Sequence, residues 1–319
     1  MRPAFFSLAT VAGIVVALAV PAQARECQKR ALDALQAAAP DGSSVFKRVP
    51  DKKFFLQWLD CDDPQFELST AVHESVHIIT AQSDAFPLVG GGEVERPHEA
   101  SKFFAPSRIA AQFGKSDYVD TYLKPGRATS SSDFLYLLDE LNAYTHDLNA
   151  AVDLKDMRSA SRSSDHRDGL AALMAFTAVY VEHARANEPE TWAGLQAPTV
   201  STVFEKIWGR AETVMASSCG IPEFGTQYVG FLQKVCKPGA QAALASVMGR
   251  PPVCPAQCLK PTQDPTEALA PDADEAPDDA PALDKRTLWK RRNHPRPAPS
   301  VEAETGSEAL AAAPIRSGR

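Results

Sequence analysis

The spacing of apolar and polar residues predicts a chain built mainly from helices. Apolar residues recur near the helical period of 3.6 in three long segments, residues 64–82, 133–154 and 166–187. Two further segments, residues 25–39 and 202–217, have the same helical spacing. The pattern therefore indicates several packed helices of about four to six turns each.

Capping residues mark where two of these helices begin. Asp63 is followed by Pro64, which is an acidic N-cap with proline at the first helical position. Three serines at residues 130–132 supply an N-cap for the segment at 133–154.

Strand-like segments are short and lie early in the chain. Residues 44–49 and 53–59 are enriched in valine, phenylalanine and tryptophan, which favours strands. Residues 84–99 contain prolines and three consecutive glycines and predict a loop or hairpin, and residues 102–112 and 117–123 predict short helices. We therefore expect a mainly α fold with a small N-terminal β-sheet (α+β).

The first 24 residues have the layout of a secretory signal. A short basic start precedes an apolar run and a small-x-small cleavage site, which predicts Arg25 as the mature N-terminus and a secreted or periplasmic protein. An uncleaved membrane anchor is the alternative, but the apolar run is short for a span of about 20 residues. We expect no stable membrane span once the signal is removed.

The C-terminal part differs in composition from the rest. Nearly half of the 25 prolines lie beyond residue 250, where an acidic run is followed by a basic cluster. Residues 251–319 are therefore predicted to be a disordered tail, and residues 25–250 one globular domain. The basic cluster could bind anionic lipid or polysaccharide, or the two blocks could neutralise each other. The net charge of −7 gives no support to nucleic-acid binding.

All six cysteines lie beyond the predicted cleavage site. An even number in an exported chain favours disulfides, whereas the absence of a CxxC pair argues against a cysteine zinc site. Pairing of neighbours along the chain predicts the bridges Cys27–Cys61, Cys219–Cys236 and Cys254–Cys258.

The sequence HESVH at residues 73–77 is an HExxH motif in a predicted helix. One helical turn separates His73 from His77, so both imidazoles lie on one face and can bind one Zn²⁺ at about 2.0–2.1 Å. Glu74 is rotated by about 100° and can reach a zinc-bound water without being a ligand. The motif predicts His73 and His77 as ligands and Glu74 as general base. Two surface histidines on one helix face are the alternative.

A catalytic zinc needs a third protein ligand. The metzincin continuation of the motif is absent, because Thr80 and Ser83 stand where glycine and histidine would be required. The helix predicted at 133–154 offers Asp139, Glu140 and His146 as candidates.

An HExxH helix followed by a separate helix bearing Glu140-x-x-Ala143 resembles the gluzincin metallopeptidases. The resemblance implies a zincin-like two-helix metal site, with Glu140 as the third ligand and Ala143 allowing close approach of the helices. It also implies a zinc-dependent peptidase acting on peptide or protein substrates.

The chain departs from many gluzincins four residues after the ligand glutamate, where Tyr144 replaces an aspartate. Its hydroxyl could accept the second N–H of a ligand histidine or stabilise the oxyanion, so we predict a catalytic role for Tyr144. Asp147 is a second candidate for orienting a histidine. His146, His166 and Tyr136 are further oxyanion candidates, although Tyr136 is expected in the core.

The sequence thus predicts a zinc peptidase that holds its substrate between the HExxH helix and a strand edge at residues 53–59. Two other functions fit the same motifs. One is a secreted zincin-like binding or scaffold protein without turnover, and the other is a zinc hydrolase of cell-wall peptides.

Overall fold

A computed structural model describes residues 16–158, 165–221 and 224–260, with side chains from residue 25 onward. The α-helices, in chain order, are α1 (Val16–Ala38), α2 (Pro40–Arg48), α3 (Lys52–Leu56), α4 (Pro64–Ser83), α5 (Asp117–Tyr122), α6 (Phe134–Asp153), α7 (His166–Asn187), α8 (Pro189–Leu195), α9 (Pro198–Ser218), α10 (Tyr228–Val235), α11 (Pro238–Met248) and α12 (Ala256–Leu259). Short 3₁₀ turns cover His98–Lys102, Pro106–Gln112, Thr129–Ser131 and Lys155–Met157.

The fold is mainly α with one small sheet, as the sequence predicts. Strands β1 (Ala85–Pro87) and β2 (Glu93–Glu95) form an antiparallel hairpin in which Phe86 pairs with Val94. Gly90, Gly91 and Gly92 turn the chain with φ values of 81°, 91° and 82°, a region that glycine enters without steric cost.

The strands predicted at residues 44–49 and 53–59 are wrong, because both segments are helical and belong to α2 and α3. Pro40 starts α2, and the Asp51 carboxylate caps α3 by accepting a hydrogen bond from Lys53 N–H at 2.9 Å. Phe55 is fully buried with its ring edge-on to Phe46. Packing of these aromatic residues between helices therefore overrides their strand propensity, and no strand edge is present there to hold a substrate.

Two apolar clusters organise the described residues. The larger one surrounds α7, which is buried from His166 to Val181 and packs against α6, α9, α10 and α11. The smaller one lies between α1–α4 and one face of α6. Helix α6 contributes to both clusters and packs extensively on α4.

The start of α4 is fixed by carboxylates, as the Asp63-Pro64 pair predicts. Asp63 accepts a hydrogen bond from Phe66 N–H, and Glu67 accepts three from the backbone N–H groups of Cys61, Asp62 and Asp63 at 2.8–2.9 Å. The bonds from Asp63 and Phe66 satisfy N–H groups that a helix N-terminus leaves without partners, and those from Cys61 and Asp62 hold the preceding turn against it. The residue at which α4 begins determines which face of the helix His73 and His77 occupy.

The N-cap of α6 is Asp133, which accepts a hydrogen bond from Leu135 N–H at 2.8 Å. The predicted serine caps instead lie in and beside the 3₁₀ turn Thr129–Ser131, one residue short of the cap. Aspartate and serine are about equally favourable N-caps, so residue type alone does not distinguish Asp133 from the preceding serines. The 3₁₀ turn determines which of them caps α6.

Three disulfides connect the described residues, and only one follows the predicted pairing. Cys27–Cys61 is confirmed, whereas the other pairs are Cys219–Cys258 and Cys236–Cys254. The prediction of pairing between neighbours was wrong because the cysteines of 251–260 fold back onto α9 and α10. Residues 251–260, assigned by sequence to the tail, are therefore held to the helices by two bridges.

The disulfides indicate an oxidising, extracellular type of environment. Among the residues described, none of the helices has the length and apolar character needed to cross a membrane. Most of the predicted signal and the tail from residue 261 lie outside the described residues, and α1 begins at Val16 inside the signal segment.

Replacing both Cys219 and Cys258 by serine is expected to lower the free energy of unfolding by about 3 kcal/mol. Their bridge joins positions 39 residues apart, and the Cys236–Cys254 bridge inside that loop already shortens the chain path between them. Guanidinium denaturation of the variant and the wild type measures the difference. Peptide mapping without reduction should still recover Cys236 linked to Cys254 in the variant. A wild-type map that joins Cys219 to Cys236 would contradict the bridges described here.

Candidate metal centre

Three potential ligand atoms converge between α4 and α6. His73 Nε2 and His77 Nε2 lie 3.3 Å apart, and Glu140 Oε2 lies 3.7 Å from the first and 3.5 Å from the second. Ligands of a tetrahedral zinc at about 2.0–2.1 Å are about 3.3–3.4 Å apart. The three atoms thus have the spacing of one face of a metal coordination sphere, and His73, His77 and Glu140 could hold a metal ion.

Packing of small side chains brings the two helices together at this point. Ala143, one turn after Glu140, is fully buried in the same apolar cluster as Ala71 and Val72 of α4. Near the other end of the contact, the Gln65 side chain of α4 donates a hydrogen bond to the carbonyl of Ala151 in α6 at 3.0 Å.

His77 is oriented by Asp139, the residue before the glutamate. Its Nδ1 donates to Asp139 Oδ2 at 2.7 Å, which leaves the Nε2 lone pair directed at His73 and Glu140. Metal-binding histidines commonly donate their second N–H to a carboxylate in this way. From the sequence, Asp139 was only an alternative ligand; its position beside Glu140 was the available signal for an orienting role.

His73 is enclosed by Asp147 and Tyr144, both from α6. Its Nδ1 lies 3.7 Å from Asp147 Oδ2, and its ring is edge-on to that of Tyr144 with centroids 4.6 Å apart. The Tyr144 hydroxyl forms a 2.7 Å hydrogen bond with the hydroxyl of Tyr122. The carboxylate facing His73 Nδ1 is therefore Asp147, the second candidate from the sequence, while the predicted catalytic role of Tyr144 stays a prediction.

The electrostatics of the centre favour a cation. Burial alone lowers the pKa of His77, but the carboxylates of Asp139 and Glu140 act against it and raise that pKa well above its ordinary value. The position between the rings thus attracts positive charge, which either a proton or a metal cation can supply.

The hydrogen bonding of Glu140 is also consistent with a bound metal ion. Glu140 Oε2 is buried and accepts no hydrogen bond from the residues described. A buried carboxylate oxygen without a partner is costly, and a cation at the centre would satisfy it together with both Nε2 atoms. Two imidazoles and one carboxylate are a ligand set of catalytic zinc sites.

Glu74 follows His73 in α4 and is partly exposed, so solvent or substrate can reach it. Because successive residues of an α-helix are rotated by about 100°, its side chain leaves α4 to one side of the two histidines. Its role as general base stays a prediction.

Two oxyanion candidates from the sequence have other contacts. His146 Nε2 donates to the carbonyl of Pro87 at 2.9 Å and so ties the hairpin to α6, and burial lowers its pKa. Tyr136 is not in the core as expected, because 40% of its surface is exposed and its ring lies beside the Arg96 guanidinium. The reason is that the face of α6 it occupies is left uncovered one turn before Glu140.

Comparison with family models, with curated proteins and with solved structures gives no match for this chain.

Gly169→Ala is expected to lower the free energy of unfolding by about 1–3 kcal/mol, because a Cβ at this position of α7 would overlap the Tyr144 ring. Displacement of that ring toward His73 should also weaken zinc binding. Thermal unfolding of the metal-free protein and zinc titration measure the two effects.

Gly230→Ala is the matched control, since a Cβ there has no neighbour within 4 Å. It should leave zinc affinity unchanged and stability equal or slightly higher. Equal stability of Gly169→Ala and wild type would show that Tyr144 is not held in place by α7.

Proposed function

We propose that the protein is a zinc-dependent peptidase with a gluzincin-like centre. The observation that carries the proposal is the convergence of His73 Nε2, His77 Nε2 and Glu140 Oε2 within 3.3–3.7 Å, next to the glutamate of an HExxH motif. The ligands come from two packed helices and are separated by more than sixty positions, so the sequence motif and the spatial cluster support the same assignment.

We propose zinc as the metal, because two neutral imidazoles and one carboxylate are a ligand set of catalytic zinc sites and leave a tetrahedral ion one open position. When bound, zinc would polarise a carbonyl and lower the pKa of a coordinated water to about 7. The orienting carboxylates Asp139 and Asp147 would keep both imidazoles in the tautomer that presents Nε2 to the ion.

Glu74 is proposed as the general base and then the general acid. Its carboxylate takes the proton of the attacking water as the oxygen bonds to the scissile carbonyl carbon. The same proton passes from Glu74 to the leaving amine as the carbon–nitrogen bond breaks. A residue that moves a proton in both steps must touch solvent and substrate, which agrees with the partial exposure of Glu74.

We further propose that the enzyme is secreted or periplasmic and acts there on peptides or proteins. The signal-like segment at residues 1–24 and the three disulfides support export.

Glu74→Gln is expected to keep one equivalent of zinc and to lower kcat/KM for a denatured protein substrate by about 10²–10⁴-fold, because it removes the base without removing a ligand. His77→Ala should lose both zinc and activity. Zinc content by atomic absorption and hydrolysis of unfolded casein are the two measurements. Removal of the metal from the wild-type protein by a chelator should abolish hydrolysis, and added zinc should restore it.

His98→Ala is the matched control, since His98 is exposed and paired with Asp84 away from the ligands. It should behave as wild type. Full activity in Glu74→Gln would refute the mechanism. If the wild type binds one equivalent of zinc but hydrolyses neither protein nor purified peptidoglycan, the protein is a zinc-binding protein without turnover. If it hydrolyses only the peptides of peptidoglycan, its substrates are cell-wall peptides and not proteins.

A further inference from the structure

The buried carboxylate of Asp147 lies between His73, a proposed ligand, and His166, which the proposed mechanism does not use. Asp147 of α6 is fully buried, with Oδ1 2.5 Å from His166 Nδ1 and Oδ2 3.7 Å from His73 Nδ1. His166 is the first residue of α7. A continuous polar path thus leads from α7 through α6 to a ligand histidine on α4.

The ring of His166 is held in a fixed orientation. It is completely buried and packs on Phe66 of α4 and on Phe224, with ring centroids 5.4 Å and 5.8 Å away. Phe224 is in turn fixed through its carbonyl, which accepts a hydrogen bond from Arg167 N–H at 2.8 Å. The aromatic contacts restrain the plane of the imidazole, and in this orientation its Nδ1 faces Asp147.

Burial of His166 leaves its second ring nitrogen, Nε2, without a compensating hydrogen bond among the residues described. Burying a polar ring with one unsatisfied nitrogen costs about 1–3 kcal/mol, whereas an apolar residue would fill the same space without that cost. The contact with Asp147 is therefore what distinguishes a histidine here from a packing residue.

Fixing one oxygen of a carboxylate also fixes the other. A hydrogen bond from His166 to Oδ1 sets the rotation of the Asp147 side chain and leaves Oδ2 facing His73 Nδ1. At 3.7 Å this is an electrostatic contact and not a hydrogen bond. The negative charge still favours the Nδ1–H tautomer of His73, in which the Nε2 lone pair faces His77 and Glu140.

We propose that His166 is a positioning residue of the metal centre: it holds Asp147 so that Asp147 orients His73. The inference rests on the zinc site proposed above, but it does not depend on whether that site hydrolyses peptides. It also assigns to α7, which supplies no ligand, an indirect part in metal binding.

Three substitutions in the full mature chain test the role by zinc affinity. His166→Asn places an amide N–H close to where Nδ1 was, His166→Gln moves that donor away from Asp147, and His166→Leu removes it. We expect the zinc dissociation constant to rise about 10–100-fold in His166→Gln and His166→Leu and to stay within a few-fold of wild type in His166→Asn. Competition with a chromogenic chelator measures it.

The visible absorption spectrum of the Co²⁺-substituted protein reports the geometry of the metal ligands. A general loss of stability does not change the positions of its bands. The visible bands should shift in His166→Gln and His166→Leu but not in His166→Asn, because only the first two change the orientation of His73. His183→Leu, a substitution in the same helix, should alter neither spectrum nor affinity. Should His166→Leu fail to fold, the comparison of His166→Gln with His166→Asn carries the test.

A double-mutant cycle completes the experiment. Asp147→Asn should weaken zinc binding to a similar degree, and combining it with His166→Gln should add little, because both changes break one path. Wild-type affinity in His166→Gln, equal losses in His166→Asn and His166→Gln, or additive losses in the cycle would each overturn the role of His166. Wild-type protein that binds zinc at His73 but cleaves no peptide would overturn only the peptidase proposal.

Discussion

The close packing of α4 on α6 is the constraint on which the candidate centre depends. No single helix brings three ligands together here, because α4 supplies two imidazoles and α6 the carboxylate. Ala143, a buried small residue in the same apolar cluster as residues of α4, lies one turn after Glu140, whose Oε2 is 3.5–3.7 Å from both Nε2 atoms. A larger side chain at that position would separate the helices, and the centre would be lost even with every ligand retained.

Buried carboxylates orient the two histidines on either side of this helix contact. Asp139 directs His77 and Asp147 faces His73, and Asp147 is itself contacted by His166 of α7. The result is a buried, negatively charged position between two imidazoles, a costly arrangement unless a proton or a metal cation occupies it. The same requirement explains the raised pKa of His77 and the affinity we propose for zinc.

The helices could be predicted from sequence because their signals are local. Asp63-Pro64 fixed the start of α4, and the HExxH spacing then placed His73 and His77 on one face. The strand predictions at residues 44–49 and 53–59 were wrong because tertiary packing places their aromatic residues between helices, which local propensity does not encode. The partners of Cys219 and the orienting role of Asp139 likewise depend on how distant segments meet, so neither could follow from spacing alone.

The central claim is that these three side chains bind one metal ion together. Anomalous diffraction at the zinc edge, from crystals of the protein grown with zinc, tests it most directly. The account predicts one peak about 2.0–2.1 Å from His73 Nε2 and His77 Nε2 and about 2.0–2.2 Å from a carboxylate oxygen of Glu140. A map without a peak between these residues, or with Asp139 or His146 bound to the metal in place of Glu140, would contradict it.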